Sequence, residues 1–211
     1  MAMFPIYLKL QGRPCLVVGA GKIAVPKVES LVRAAASVTV VAPEAADIIA
    51  QGDAKGELQW LKKSFVDADL DGKFLVVAAT NLQSVNHAVA EGARARNILC
   101  NSVDDPPDCD FFYPSVVQRG DLQIAISTAG KSPALAQSLR LELERMLPGD
   151  VGVWLDMLGQ TRERVLGAYP ASEARKEALH LLANRESCDP ACCPVQQKLD
   201  ELLHGEVKRA R

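Results

Sequence analysis

The residues best suited to chemistry near the N-terminus form a glycine-rich turn, Gly19-Ala20-Gly21-Lys22-Ile23-Ala24. Gly19 permits a tight turn, Gly21 lets the backbone approach a pyrophosphate, and Ala24 stands where a third glycine often keeps helix and strand close. A helix starting here would direct its free N–H groups and positive dipole end at phosphates. The pattern predicts a dinucleotide site, and a tight turn that binds no nucleotide is the alternative.

A second candidate group is a set of carboxylates that follows the apolar stretch 98–101: Asp104, Asp105, Asp108 and Asp110. Asp104 comes first after that stretch, where a carboxylate can accept a proton from a ligand. The alternative is that Asp104 caps a turn through backbone hydrogen bonds. We expect the other three to be solvated loop charges, with Asp105 as the natural substitute for Asp104.

The cysteines do not have the spacing of a common metal site. Cys15 and Cys100 fall in apolar runs and Cys109 stands alone, so these three are expected to be structural. The other three form a C-x3-C-C cluster: Cys188, Cys192 and Cys193. This cluster is either incidental or a soft-metal or redox site, and no metal is assigned to the chain.

Strand and helix patterns alternate through the first half of the chain. Apolar or β-branched runs predict strands at 15–18, 37–42, 58–61, 74–79 and 98–101, and helical spacing follows the glycine turn and resumes at Val85. This order predicts an α/β fold with a Rossmann-like parallel sheet, helices on both faces, and ligands at the carboxyl ends of the strands. Those ends supply Gly19, Ala42 to Glu44, Ala79 to Asn81, and Asn101 to Asp104.

The pattern changes after Pro106-Pro107. Extended segments on either side of 119–121 predict an antiparallel element, and Ser132-Pro133 is suited to start a helix. Leucines at helical spacing predict one apolar face on that helix: Leu135, Leu139, Leu143, Met146 and Leu147. We expect a first domain at 1–112, a small α+β segment at 113–148, and a helical region at 149–211 that is interrupted at Tyr169-Pro170.

Composition excludes several classes of protein. The 211 residues are 48% hydrophobic and 24% charged, which is typical of a globular chain, and the net charge of −2 argues against a general nucleic-acid binder. No apolar run approaches the length of a membrane span, and the N-terminus lacks the features of a secretory signal. We therefore expect a cytoplasmic protein that binds neither nucleic acid nor membrane.

The motifs, taken in order, resemble those of the precorrin-2 dehydrogenases, the enzymes, sometimes also ferrochelatases, that make sirohydrochlorin and sirohaem. The resemblance covers residues 4–150 and rests on six segments: Pro5-Ile6-Tyr7-Leu8, the glycine turn with Lys27, Ala78-Ala79-Thr80-Asn81, Asn101-Ser102-Val103-Asp104, the segment 111–114, and Ser127-Thr128-Ala129-Gly130-Lys131-Ser132-Pro133. Some relatives are fused to a methyltransferase, which we do not expect within 211 residues.

The resemblance implies oxidation of precorrin-2 to sirohydrochlorin with NAD⁺, and it places residues around that cofactor. Lys22 and Ile23 would contact it through the glycine turn, and Pro43 and Glu44 would lie by the adenosine ribose. The residues Thr80 and Asn81 would border its nicotinamide half. The tip of the second strand, Ala42-Pro43, departs from the acidic residue that dinucleotide sites usually show there, so Glu44 either reaches the ribose or faces solvent. Because no arginine follows that strand to receive a 2′-phosphate, NAD is favoured over NADP.

The resemblance also assigns the catalytic and substrate residues. Asp104 matches the family's aspartate and would accept a proton as the hydride leaves. The tetrapyrrole carries many carboxylates, and the family places the segment with Thr128, Lys131 and Ser132 at the substrate. Lys131 is the best cation candidate, with two arginines behind it, Arg119 and Arg140; ordinary surface charge is the alternative for all three. His87 is expected on a helix surface and is a minor candidate for metal insertion.

In this family the segment 113–148 would supply dimer contacts, and we expect a homodimer. Two other functions stay open. One is an NAD-sensing module without catalysis, and the other is a metal chelatase that uses the cofactor little.

Overall fold

The computed structural model describes residues 3–168, 171 and 173–183. The predicted helix break at Tyr169-Pro170 and the cluster of Cys188, Cys192 and Cys193 lie outside those residues. Two compact units divide the described chain, one from Met3 to Tyr113 and one from Pro114 onward. Among the described helices none is long and apolar enough to cross a bilayer.

The first unit is built on a sheet of five parallel strands, as the alternating pattern predicts. The strands are β1 (Pro14–Val18), β2 (Ser37–Val41), β3 (Gln59–Leu61), β4 (Leu75–Ala78) and β5 (Leu99–Ser102). Their order in the sheet is β3-β2-β1-β4-β5. Since the chain moves outward from β1 to β3 and then returns to the other side of β1, the strand order reverses between β1 and β4. Ligands of such sheets bind in the crevice at this point.

Helices cover both faces of the sheet because alternate strand residues point to opposite faces. On one face Val17, Val40 and Val77 pack with α1 (Val25–Arg33) and α2 (Asp47–Ala54). On the other face the neighbouring strand residues pack with α3 (Gln83–Ala95): Leu16, Val18, Val76 and Ala78. The result is the predicted Rossmann-like fold with two hydrophobic layers.

The two strand cysteines are part of these layers. Cys15 is fully buried and Cys100 is 3% exposed, which confirms their structural interpretation. Burial raises the pKa of the Cys15 thiol to about 11 and that of Cys100 to about 12, so both thiols stay protonated and unreactive at neutral pH.

The second unit begins with an antiparallel hairpin, as predicted. Its strands are β6 (Ser115–Arg119) and β7 (Leu122–Ile126), and three helices follow: α4 (Pro133–Met146), α5 (Val151–Ala168) and α6 (Glu173–Ala183). A Cβ added at Gly152 would lie 2.7 Å from the carbonyl oxygen of Arg119, so α5 packs directly on the hairpin backbone. The leucine face of α4 is divided, since Leu135 and Met146 are 52% and 72% exposed while Leu139 and Leu143 are partly buried.

The glycine turn is fixed by its contact with the end of β4. Gly19 has a φ of +105°, and a Cβ added there would lie 2.4 Å from the carbonyl oxygen of Ala79. The Gly19 N–H donates to the Val41 carbonyl at 2.9 Å, and the Ala79 N–H donates to the Val18 carbonyl at 2.8 Å. Only glycine satisfies both the left-handed backbone and the close approach.

A Gly19→Ala substitution is therefore expected to lower the free energy of unfolding by about 2 kcal/mol or more, through backbone strain and steric overlap. Gly21→Ala is the matched control, because a Cβ at Gly21 meets no atom within 4 Å and stability should stay within about 0.5 kcal/mol. Urea unfolding of both variants measures the difference. Equal stability losses for the two variants would contradict this account of the turn.

Candidate active site

A crevice of about 400 Å³ opens at the carboxyl ends of β1, β4 and β5, where the strand order reverses. Its volume is within the range of small-molecule sites. The lining residues come from four segments: Ile23, Ala79, Thr80, Asn81, Gln83, Asn86, Ser102, Val103, Asp104 and Asp105. The crevice thus brings together Ile23, Thr80, Asn81 and Asp104, which the sequence analysis had assigned to one site.

The glycine turn fits an anionic group. Within the described chain, the N–H groups of Gly21, Lys22 and Ile23 meet no hydrogen-bond acceptor, and α1 begins directly after them at Val25. The space above Gly21 is open. Unsatisfied N–H groups at a helix N-terminus attract phosphate oxygens, so these residues are suited to a pyrophosphate. Ala24 is fully buried in the core beneath the turn and keeps α1 close to the sheet.

The segment after β2 is joined to this turn by the backbone. The Ala46 N–H donates to the Ala20 carbonyl at 2.9 Å, and the indole Nε1 of Trp60 donates to the Ala42 carbonyl at 3.0 Å. Ala42 is buried, whereas Pro43 and Glu44 are exposed. Contact between Glu44 and a ribose stays a prediction.

Asn86 is a site residue that the sequence analysis did not identify. Its Oδ1 accepts from the Thr80 N–H at 3.0 Å, and its Nδ2 donates to the Thr80 carbonyl at 3.0 Å. The side chain is 6% exposed and lies on the buried face of α3 with Val89, Ala90 and Ala93. A polar residue at a buried helical position needs a hydrogen-bond partner. The position of Asn86 on the apolar side of the predicted helix is therefore the sequence signal that could have identified it. Asn86 holds the peptide of Thr80 against the crevice.

Asp104 is exposed, lines the crevice and has an unusual backbone conformation. Its φ is +62°, in the left-handed region that residues other than glycine seldom adopt. Beside it, the hydroxyl of Ser102 is buried without a hydrogen-bond partner among the residues described. Strained backbone and orphaned polar atoms concentrate at functional sites, where a ligand or a mechanism requires them.

One of the three carboxylates expected to be solvated loop charges, Asp108, is buried, and that prediction is wrong for it; Asp110 is exposed and Asp105 is partly exposed. Asp108 is 8% exposed; its Oδ2 lies 2.7 Å from Nδ1 of His87, and its Oδ1 accepts from Arg94 at 3.3 Å. Asp110 accepts through Oδ2 from the Cys100 N–H at 2.9 Å. His87 is 61% exposed on α3, as expected for a helix-surface residue, although its ring is bound to Asp108.

The segment predicted to contact substrate forms the entry to α4 in the second unit. The Thr128 hydroxyl accepts from the Ser132 N–H at 3.2 Å, and Ser132 Oγ caps α4 by accepting from the Leu135 N–H at 3.2 Å, which confirms the predicted cap. Lys131 is exposed. The two arginines expected behind Lys131 both bind Glu144. Arg119 donates to the backbone carbonyl of Glu144 at 3.2 Å, and Arg140 forms an ion pair with the Glu144 carboxylate at 2.8 Å.

Comparisons with known proteins agree along the chain. An NAD(P)-binding family model matches residues 6–115, and the model of the sirohaem biosynthesis protein central domain matches residues 119–146. The siroheme synthase of Methylobacillus flagellatus is 43% identical over 98% of this chain and 47% of its own length. Siroheme synthase 1 of Pectobacterium atrosepticum is 42% identical over 83% of this chain and 37% of its own. The chain thus spans about half, or less, of the curated relatives it matches.

A solved structure matches over its whole length. SirC, a precorrin-2 dehydrogenase, superimposes with a TM-score of 0.78 and 29% sequence identity, covering 98% of this chain and 100% of that one.

The pairing of His87 with Asp108 predicts a pH-dependent contribution to stability. The hydrogen bond and charge of Asp108 raise the pKa of His87, with smaller contributions from Glu91 and Asp105, and the hydrogen bond from His87 lowers the pKa of Asp108. The His87 contribution is complete below its unfolded pKa of about 6.5 and is lost as pH rises through the raised folded pKa. Melting temperatures of wild type and His87→Gln should therefore differ more at pH 5.5 than at pH 9. A difference that grows toward alkaline pH would contradict this sign.

Proposed function

Because the chain belongs to the precorrin-2 dehydrogenase family, we propose that it oxidises precorrin-2 to sirohydrochlorin with NAD⁺ in the formation of sirohaem. The observation that carries the proposal is the crevice, where Ile23 of the glycine turn and Asp104 line one space at the carboxyl ends of the strands. A dinucleotide site and a proton acceptor therefore meet in the same place.

The first unit would hold the cofactor mostly through its backbone. The free N–H groups of Gly21, Lys22 and Ile23 suit the pyrophosphate, Pro43 and Glu44 lie on the segment joined to the glycine turn, and Thr80 and Asn81 would border the nicotinamide half. NAD⁺ supplies the hydride acceptor. NAD is favoured over NADP because the segment that follows β2, Ala42 to Asp47, contains no arginine or lysine for a 2′-phosphate.

Asp104 would act as the catalytic base. Conversion of precorrin-2 to sirohydrochlorin removes one hydride and one proton, so a group beside the hydride acceptor must take the proton. The exposed carboxylate of Asp104 faces no hydrogen-bond donor in the described chain and lies at the crevice. The left-handed backbone of Asp104 is held by the surrounding loop, which gives its side chain a defined starting position.

The substrate carboxylates would be bound by the entry to α4. Lys131 is exposed, and the N-terminus of α4 lies two residues after it. The hydroxyl groups of Thr128 and Ser132 are adjacent in the same turn. A cation, two hydroxyls and a helix N-terminus are together suited to acidic side chains of a tetrapyrrole.

We further propose a cytoplasmic homodimer. In the second unit the large apolar side chains Leu135, Leu141 and Met146 of α4 are 45% to 72% exposed, which is the kind of surface that a second copy would cover. The cysteines Cys15, Cys100 and Cys109 are free thiols, which suits a reducing compartment.

The decisive assay mixes the purified protein with precorrin-2 and NAD⁺ in the absence of metal. We expect NADH and the spectrum of sirohydrochlorin to appear together. Asp104→Asn removes the base but keeps the shape of the side chain, and it should lower kcat by a factor of about 100 or more while the dissociation constant of NAD⁺ changes less than twofold. NAD⁺ binding without turnover in the wild type would instead support a sensing module. Turnover only on addition of iron would support a chelatase.

Sedimentation velocity tests the dimer. The wild type should sediment as a species of twice the chain mass, and Met146→Glu together with Leu135→Glu should shift it toward the monomer because charges would then be buried at the interface. A wild-type monomer at micromolar concentration would contradict the proposal.

A further inference from the structure

The loop that carries Asp104 is closed at its base by hydrogen bonds between its two limbs. The Asp110 N–H donates to the Cys100 carbonyl at 2.8 Å, and the Asn101 Nδ2 donates to the Phe111 carbonyl at 2.8 Å. The thiol of Cys109 lies 3.1 Å from the Ser102 carbonyl oxygen. These bonds join the end of β5 to the returning chain, so the residues between them, 103–108, form the tip of a closed loop.

The tip contains the strained residue. Asp104, at φ +62°, stands between Val103, whose N–H donates to the Ala78 carbonyl, and Asp105, whose N–H donates to the Ser102 carbonyl at 3.3 Å. The left-handed conformation is unfavourable for a residue with a Cβ and persists only where the surrounding structure holds it. The bond from Asp105 to the end of β5 is the one backbone hydrogen bond between residues 104–108 and a strand of the sheet, and no backbone bond in the described chain joins these residues to a helix of the first unit.

Asp108 provides that connection. Among the described residues, the hydrogen bonds and ion pairs that tie 104–108 to α3 all pass through its carboxylate, which contacts His87 at 2.7 Å and Arg94 at 3.3 Å. The two partners lie seven residues apart on the same side of α3, so they hold the carboxylate from positions about two turns apart on the helix. Asp108 is also bound back to the tip, since its N–H donates to the Asp105 carbonyl at 3.1 Å.

We propose that Asp108 is a positioning residue for the oxidation reaction, which ties the loop tip to α3 and thereby fixes the Asp104 carboxylate in the crevice. This inference rests on the proposed function. A carboxylate that is 8% exposed and bound to both an imidazole and a guanidinium has few alternative positions, whereas an exposed loop carboxylate has many. Misplacement of a reacting group by about 1 Å can lower a rate by as much as a factor of 100, so loss of the tie should affect kcat more than ligand binding.

The test compares Asp108→Asn with Asp71→Asn. The control also removes a carboxylate charge that pairs with an arginine, since Asp71 accepts at 3.0 Å from Nε of Arg96, the residue that follows α3. Asp71 lies outside the crevice lining and its side chain is 67% exposed. We expect Asp108→Asn to lower kcat about tenfold or more, with the dissociation constant of NAD⁺ and the KM for precorrin-2 changed less than twofold. Asp71→Asn should keep wild-type kcat.

Hydrogen–deuterium exchange tests the tie without any reaction. The amides of Asp105, Asp108 and Cys109 donate hydrogen bonds within the loop, which protect them from exchange. These amides should exchange about tenfold faster in Asp108→Asn than in the wild type or in Asp71→Asn. The amide of Asp110, at the base of the loop, should keep its protection because its bond to Cys100 is intact. Faster exchange across the whole unit would show general destabilisation and would overturn a positioning role.

The two readouts separate the inference from the function on which it rests. Unchanged kcat in Asp108→Asn, with an active wild type, overturns the positioning role. An inactive wild type overturns the proposed function, and the exchange rates then decide by themselves whether Asp108 holds the loop tip.

Discussion

The contact between Gly19 and the carbonyl of Ala79 is the constraint on which the site depends. It brings the end of β1 against the end of β4, closer than any residue with a side chain would allow. The turn that follows Gly19 and the residues that follow Ala79 therefore lie beside each other. Because Val103 is bound to the Ala78 carbonyl, the segment after β5 is placed next to the same point. Three segments distant in sequence meet there because one residue has no Cβ.

The crevice is supported by polar groups that are themselves buried. Asn86 holds both backbone groups of Thr80, and Asp108 holds two side chains of α3, His87 and Arg94. Both side chains are nearly inaccessible, so each would be costly to bury without its partners. The walls of the site are thus defined by directional bonds, which fix positions more narrowly than apolar packing does.

Much of the fold could be predicted because its signals are local. The runs that became β1, β2, β4 and β5, the glycine turn, the hairpin and the Ser132 cap each depend on neighbours a few residues away. The helix α2 was not predicted, since its eight residues include Gly52 and only a short apolar pair, Ile48-Ile49, of which Ile48 is exposed. Its position is determined by tertiary contacts with α1 and β3.

The site was predicted less completely for a related reason. Asp104 follows a strand directly, and that position has meaning in the sequence alone. The partners of Asp108 are 14 and 21 residues away, so nothing in its immediate neighbours distinguishes it from the exposed Asp104 or the partly exposed Asp105. Asn86 had a usable signal, its place on the apolar side of α3, but its partner Thr80 could be identified only from the folded backbone.

The two hydrophobic layers of the sheet pack against different helices, and each of these helices supports a different part of the site. The glycine turn leads into α1, which packs on one layer, and the loop of Asp104 is tied to α3, which packs on the other. The separation is not complete, because Val103 at the start of that loop packs on the layer of α1, and Asn86 of α3 holds Thr80 at the crevice. A substitution that shifts either helix would therefore reach the crevice from its own side of the sheet.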